Sequence, residues 1–143
     1  VGTTCTGSSF TGVYNEGEGA AGTIFASVTL TKTTSGSCTV NGFPLLTLQD
    51  KTGAILNAKI LDKSPVQFPS AQANQPAGDV TLHAGSTLNF SLGYSDVQVG
   101  NEVCGTATTI SVQFKTGGTS VPVTPAYPVE PCNANTVWVS PFY

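Results

Sequence analysis

The chain contains no arginine and no methionine, one histidine and one tryptophan, and charged side chains make up only 9% of its 143 residues. Each shortage argues against a class of function. Five lysines without arginine cannot form the basic stripe that tracks phosphates, which argues against nucleic acid as a partner. A formal net charge of −3 is too small for an acidic interaction tail and offers nothing to anionic lipid. One histidine and no methionine argue against a blue-copper site, which needs two histidines, a cysteine and a weak axial ligand. No apolar run approaches the ~18 residues of a membrane span. The chain opens on Val1-Gly2 rather than Met. This is expected of a chain from which a signal peptide has been removed, and Cys5 is not placed to be a lipidated first residue.

Four cysteines stand in this chemically quiet background: Cys5, Cys38, Cys104 and Cys132. An even count in a chain this poor in charge implies two disulfides and an oxidising compartment, hence a secreted, extracellular or cell-surface protein. No two cysteines lie within metal-knuckle spacing, so zinc is not implied, and neither is any other cofactor. Solubility must come from Thr, Ser, Asn, Gln and Gly.

Gly and Pro punctuate the chain, and period-2 runs lie between them, which is the all-β pattern. Strands are expected around Phe10 to Tyr14, over Thr23 to Lys32 (Ile24, Ala26, Val28 and Leu30 inward), and over Phe43 to Gln49. Asp50-Lys51-Thr52-Gly53 reads as a hairpin turn that returns Ala54 to Leu61 as the partner strand. Further strands follow at Val80 to Leu82, at Ser86 to Tyr94 (Leu88, Phe90, Leu92 and Tyr94 inward; Thr87, Asn89 and Ser91 outward), and at Thr106 to Lys115 (Thr108, Ile110, Val112 and Phe114 inward). Ser120 to Tyr127 is interrupted by Pro and belongs at an edge. Thr136 to Ser140 closes the set, and Gly17 to Gly22 reads as a small-residue loop. Seven to nine short strands joined by hairpins point to one antiparallel, immunoglobulin-like β-sandwich domain over residues 1–143. A jelly roll or small barrel is the alternative. Strand parity also bears on the cysteines. Successive strands run to opposite ends, which places Cys5 with Cys38 at one end and Cys104 with Cys132 at the other. A miscounted strand would give Cys38–Cys104 with Cys5–Cys132 instead. Closing loops of about thirty residues stabilises by roughly 3–4 kcal/mol each in the chain-entropy model.

The stretches Cys5, Gly19-Ala20-Ala21-Gly22, Ser37-Cys38-Thr39-Val40-Asn41-Gly42-Phe43-Pro44, Asp50-Lys51-Thr52-Gly53, Val80 to Gly85, Cys104, and Cys132 to Phe142 together resemble a known family. It is a family of secreted four-cysteine domains of unknown function, found in exported proteins and lipoproteins of actinobacteria and other prokaryotes. The most specific piece is Cys38-x-x-x-Gly42-Phe43-Pro44. Ala84 stands where the family more typically has Pro. The resemblance implies fold and export and carries over no catalytic residue.

The residues that could carry chemistry are few. His83 sits in a tight turn with Ser86 and Asp79 near it in sequence, and neighbours in a turn do not make a triad. The carboxylates are scattered over turns and loops; Glu16 and Glu18 alone could share a face and take a cation with loop carbonyls. Asn89-Phe90-Ser91 is a sequon on an outward position, which makes Asn89 a candidate glycosylation site. Most aromatics are inward by alternation. Trp138, Phe142 and Tyr143 are the exceptions, expected to cover one end of the sandwich. The reading that follows is a non-enzymatic binding module acting through loops, with the Pro-rich Asp62 to Gly78 segment as the main candidate. The alternative is a subunit of an extracellular filament, assembled when a terminal segment, Val1 to Tyr14 or Thr136 to Tyr143, completes a neighbour's sheet.

Overall fold

A computed structural model describes residues 3–17, 19–20, 22–62 and 64–143. Its strands, in chain order, are β1 Phe10–Asn15, β2 Gly19–Ala20, β3 Thr23–Lys32, β4 Cys38–Asn41, β5 Leu45–Gln49, β6 Lys59–Leu61, β7 Asp79–Leu82, β8 Thr87–Ser95, β9 Thr109–Gln113, β10 Val121–Val123 and β11 Thr136–Val139. Among the described residues, no helix is long and apolar enough to cross a membrane. The larger sheet runs β1-β3-β8-β11-β6, with the short β2 also paired to β3. A three-stranded sheet, β10-β9-β5, and a two-stranded one, β4-β7, complete the set.

The alternation read from the sequence is the alternation that buries side chains. Val28, Leu30, Leu88, Phe90 and Leu92 of the central β3–β8 pair are essentially inaccessible, as are Ile110 and Val112 of β9. They belong to one hydrophobic cluster drawn from all three sheets, so the fold is all-β and sandwich-like. Aromatic contacts tie the layers together. Phe10 lies 5.0 Å from Phe114, and Phe142 lies 5.9 Å from Phe90 and 5.5 Å from Phe114 between ring centroids. Gly12 permits the closest approach of β1 to β10, since a Cβ there would lie 2.7 Å from Val123 and 3.0 Å from Leu30. Val121–Val123 is an edge strand, where Pro122 needs no partner for a missing N–H.

The disulfides are Cys5–Cys38 and Cys104–Cys132, the pairing that strand parity favours. They sit at opposite ends of the larger sheet. Cys38 is registered with Leu82, just before the turn whose Ser86 carbonyl accepts from Lys32 N–H. The Cys132 amide donates to the Ser95 carbonyl at the far end of β8.

Several details depart from expectation. Ala54 to Leu61 does not return as the full partner of β5: one bridge, Gln49↔Ile55, follows the Asp50–Gly53 turn, and then Lys59–Leu61 crosses to the other sheet. There β6 pairs in parallel with β11, so the fold is not wholly antiparallel. Gly19–Ala20 forms a short strand inside the expected loop. Ser91 faces outward by parity yet is 4% exposed, because the C-terminal segment covers it. Thr108, placed inward by alternation, is half-buried just before β9 begins. Lys32, the last inward position of β3, is buried as well; its ammonium donates to the Thr34 carbonyl and hydroxyl and to the Ser35 carbonyl. Among the described residues no buried side-chain polar atom is without a hydrogen-bond partner.

Candidate functional site

The outward positions of β3 and β8 are small and polar: Ser27, Thr29, Asn89, Ser91 and Gly93. Small side chains leave a shallow floor, and short hydrogen bonds fix it. Asn15 donates to Ser27 Oγ (3.2 Å) and Thr29 Oγ1 (2.9 Å), and Thr29 Oγ1 donates to Asn89 Oδ1 (2.8 Å). Ser91 Oγ lies 2.9 Å from the Tyr143 hydroxyl. Gly93 divides two aromatic rings on this floor. A Cβ at that position would lie 3.0 Å from Phe25 and 3.3 Å from Trp138.

Apart from Lys63, which lies outside the described residues, the Asp62 to Gly78 segment lies against this face, and it is built rather than loose. Phe68 is buried and meets Phe25 edge-on at 6.0 Å. Asn74, at the end of a 3-10 turn (Ala71–Asn74), accepts from Phe68 N–H (2.8 Å) and donates to the Phe68 carbonyl (2.9 Å) and the Ser70 carbonyl (3.1 Å). The segment therefore carries its own apolar anchor, which its Pro, Ser, Gln and Asn content hides.

Three grooves border this one segment. The first, of about 510 Å³, lies between Val66–Phe68 and the chain end at Val139–Pro141, with Phe43 at one wall. The second, of about 230 Å³, lies between Pro69–Ser70 and the floor at Phe25, Ser27 and Ser91, with Glu16 at its rim. The third, of about 450 Å³, is bounded by Ser64–Pro65, Lys59, Asn133, Thr136 and Trp138.

The third groove rests on an unusual backbone. Asn133, Ala134 and Asn135 have φ of 55°, 62° and 56°. The Thr136 amide donates to the Cys132 carbonyl at 3.2 Å, which makes 132–136 a single turn of left-handed helix. Left-handed backbone costs an L-residue roughly 1–2 kcal/mol, less for Asn, so the turn must be held from outside. The Cys104–Cys132 bridge holds its start. Glu102 holds its amides: the carboxylate accepts from Asn133 N–H (2.8 Å), Ala134 N–H (3.0 Å) and Val99 N–H (2.8 Å). Those three amide hydrogen bonds, Ala134's first, keep the Glu102 carboxyl below the usual range. Asn135 Oδ1 accepts from Gly105 N–H (2.8 Å), and the Asn135 carbonyl accepts from Lys59 N–H (3.0 Å). That last bond aligns β6 on β11 in the register Thr136↔Lys59 and Trp138↔Leu61. Glu102, Cys104 and Cys132 bring metal-type donor atoms within 4.8 Å of one another. The two sulfurs are bonded to each other and the carboxylate is occupied by amides, so the cluster acts as a staple.

The remaining sequence candidates disperse. His83 is exposed in the β7–β8 turn; its amide donates to Ser86 Oγ (2.9 Å), while Asp79, at the start of β7, accepts from Asn41. Glu16 accepts from Ala126 N–H (3.2 Å), and Glu18 lies outside the described residues. Asn89 is half-buried in the middle of β8, with its amide and carbonyl paired to Tyr143. Of the two terminal segments, Phe10–Asn15 is registered along its whole length with β3, and Val1 and Gly2 lie outside the described residues. Thr136–Val139 lies between β8 and β6 within the same chain, and Phe142 enters the core. Burial pushes the Tyr94 hydroxyl up to about 12, helped by the carboxylates of Glu16, Asp96 and Glu130; burial raises Tyr14 also.

Sequence reading missed the left-handed turn, Glu102 and Lys59. Asn133-Ala134-Asn135 carried the one available signal, since Asn is the non-glycine residue that best tolerates left-handed backbone.

Fold and site together define a disulfide-stapled, all-β domain with a grooved sheet face and a strained, bridged turn beside it. The chain belongs to the family described as Domain of unknown function (DUF4232), whose sequence model matches residues 5–143. No curated protein and no solved structure matches it.

Proposed function

We propose that this is a non-enzymatic binding domain that works outside the cell, secreted or at the cell surface, and takes its ligand on the outer face of the larger sheet. The observation that carries this reading is that three grooves adjoin the one anchored segment, residues 62–78. Adjoining clefts of this size on a rigid sheet suit an extended ligand better than a buried small molecule. Two disulfides and the scarcity of charge support an oxidising, extracellular setting. Ser86 Oγ accepts from the His83 backbone amide and the Asp79 carboxylate is taken by Asn41, so the three do not form a relay, which supports a role without catalysis.

Phe68→Ala tests the reading. It removes the anchor that holds the segment against Phe25, so binding on a glycan and peptide array should fall while the β signal in circular dichroism is kept. Binding that survives with a detached 62–78 segment, shown by hydrogen exchange there, would place the ligand elsewhere. Filament assembly stands second, because both terminal segments are paired in cis among the described residues. Size-exclusion chromatography with negative-stain microscopy should show monomers; filaments would put strand donation first.

A further inference from the structure

We propose that the groove beside Trp138 is a subsite for an acidic saccharide, one sugar ring on the indole and its carboxylate on Lys59. The inference rests on the binding-domain reading above and names the ligand class for one of its grooves.

Parallel pairing of β6 with β11 sets Lys59 beside Thr136 and puts Trp138 one pleat further along the same face. On standard strand spacings the two side chains start about 8 Å apart, diagonally across the sheet. Trp138 is partly exposed and lines the groove. An indole face packs well on the apolar C–H face of a sugar ring, and the ring's hydroxyls then need donors and acceptors at the rim. Ser64 and Asn133 stand at that rim. Among the described residues that line the groove, Lys59 is the one charged group. In a chain of net charge −3, that exposed ammonium beside an aromatic face selects for a ligand carrying a carboxylate. The left-handed turn accounts for the arrangement. It lines the groove through Asn133 and Ala134, and its Asn135 carbonyl fixes the register of Lys59. Strained backbone held by a disulfide and a carboxylate is backbone kept for a purpose.

Trp138 is the only tryptophan in the chain, so its fluorescence is a single-site probe at this groove. The intact chain is titrated with oligogalacturonate, with a neutral cello-oligosaccharide, and with polyglutamate as a charge control. Oligogalacturonate should give a saturable change that weakens at high salt, with the neutral sugar and polyglutamate much weaker. Lys59→Gln, at an exposed position, should weaken oligogalacturonate roughly five-fold and leave the neutral sugar unchanged. Asn133→Asp keeps a residue that tolerates left-handed backbone while adding a negative charge, and should weaken it comparably. Equal response to polyglutamate, equal affinity for the neutral sugar, or indifference to both substitutions would overturn the subsite. Array binding that leaves Trp138 fluorescence unchanged sinks this subsite and leaves the binding-domain reading in place. Absence of binding to any glycan or peptide sinks both.

Discussion

Ala134→Gly should stabilise this protein, although it deletes a methyl group. Ala134 has φ 62° and is exposed. Left-handed backbone costs an alanine roughly 1–2 kcal/mol. Glycine removes that cost but loses about 0.5–1 kcal/mol through the greater freedom of its unfolded chain. The lost methyl was in solvent, and the amide that donates to Glu102 is kept in either residue. The balance is a gain of about 0.5–1 kcal/mol, or a rise in Tm of about 2–3 °C for a domain of this size. Urea unfolding of wild type and variant should show a higher midpoint at unchanged slope. Ala134→Val, a β-branched residue at positive φ, should fall on the other side of wild type, and Ala134→Asn between alanine and glycine. Equal or lower stability for the glycine variant at unchanged slope would refute the strain assigned to this turn. A stabilised variant with weaker ligand binding would show that the strain is retained for the groove.

Two further outcomes follow. Replacing Cys104 and Cys132 together by Ser removes a bridge of sequence separation 28 and should cost roughly 3–4 kcal/mol, close to the loss for Cys5 and Cys38 at separation 33. Only the Cys104–Cys132 variant should shift Trp138 fluorescence, because only that bridge anchors the left-handed turn. The second concerns pH. Glu102 has a folded pKa below its unfolded value, so its contribution is present above the unfolded carboxylate range and is lost as pH falls through the folded value. Stability measured by urea unfolding should therefore decline in that acid window, and Glu102→Gln should flatten this part of the decline; an unchanged acid limb would remove Glu102 from the account.

The extent to which this fold can be read from the chain follows the range of the forces involved. Alternation over Ile24 to Leu30 and over Leu88 to Tyr94 predicts the buried face of the central pair, because consecutive side chains of a strand must point to opposite sides. The turns at Asp50–Gly53 and His83–Gly85 are legible because glycine supplies the positive φ of 85° and 82° that each needs. Lys59-Ile60-Leu61 is too short to display a period, and its partner β11 lies far along the chain, so no local pattern distinguishes a returning hairpin from a parallel crossing. Phe68 looks like one aromatic in a polar, Pro-rich loop until Phe25 and the Asn74 hydrogen bonds give it a seat.

Residue type and alternation in the sequence determined an all-β chain with two disulfides, and strand parity favoured the observed disulfide pairing. These properties depend on residue type, on spacing of two, and on which end of a sheet a loop occupies. The grooved face, the parallel β6–β11 pair, the left-handed turn under Glu102 and the meeting of Lys59 with Trp138 were decided only by tertiary structure. Each joins residues distant in sequence, and the free energy that selects such a contact comes from burying both partners at once.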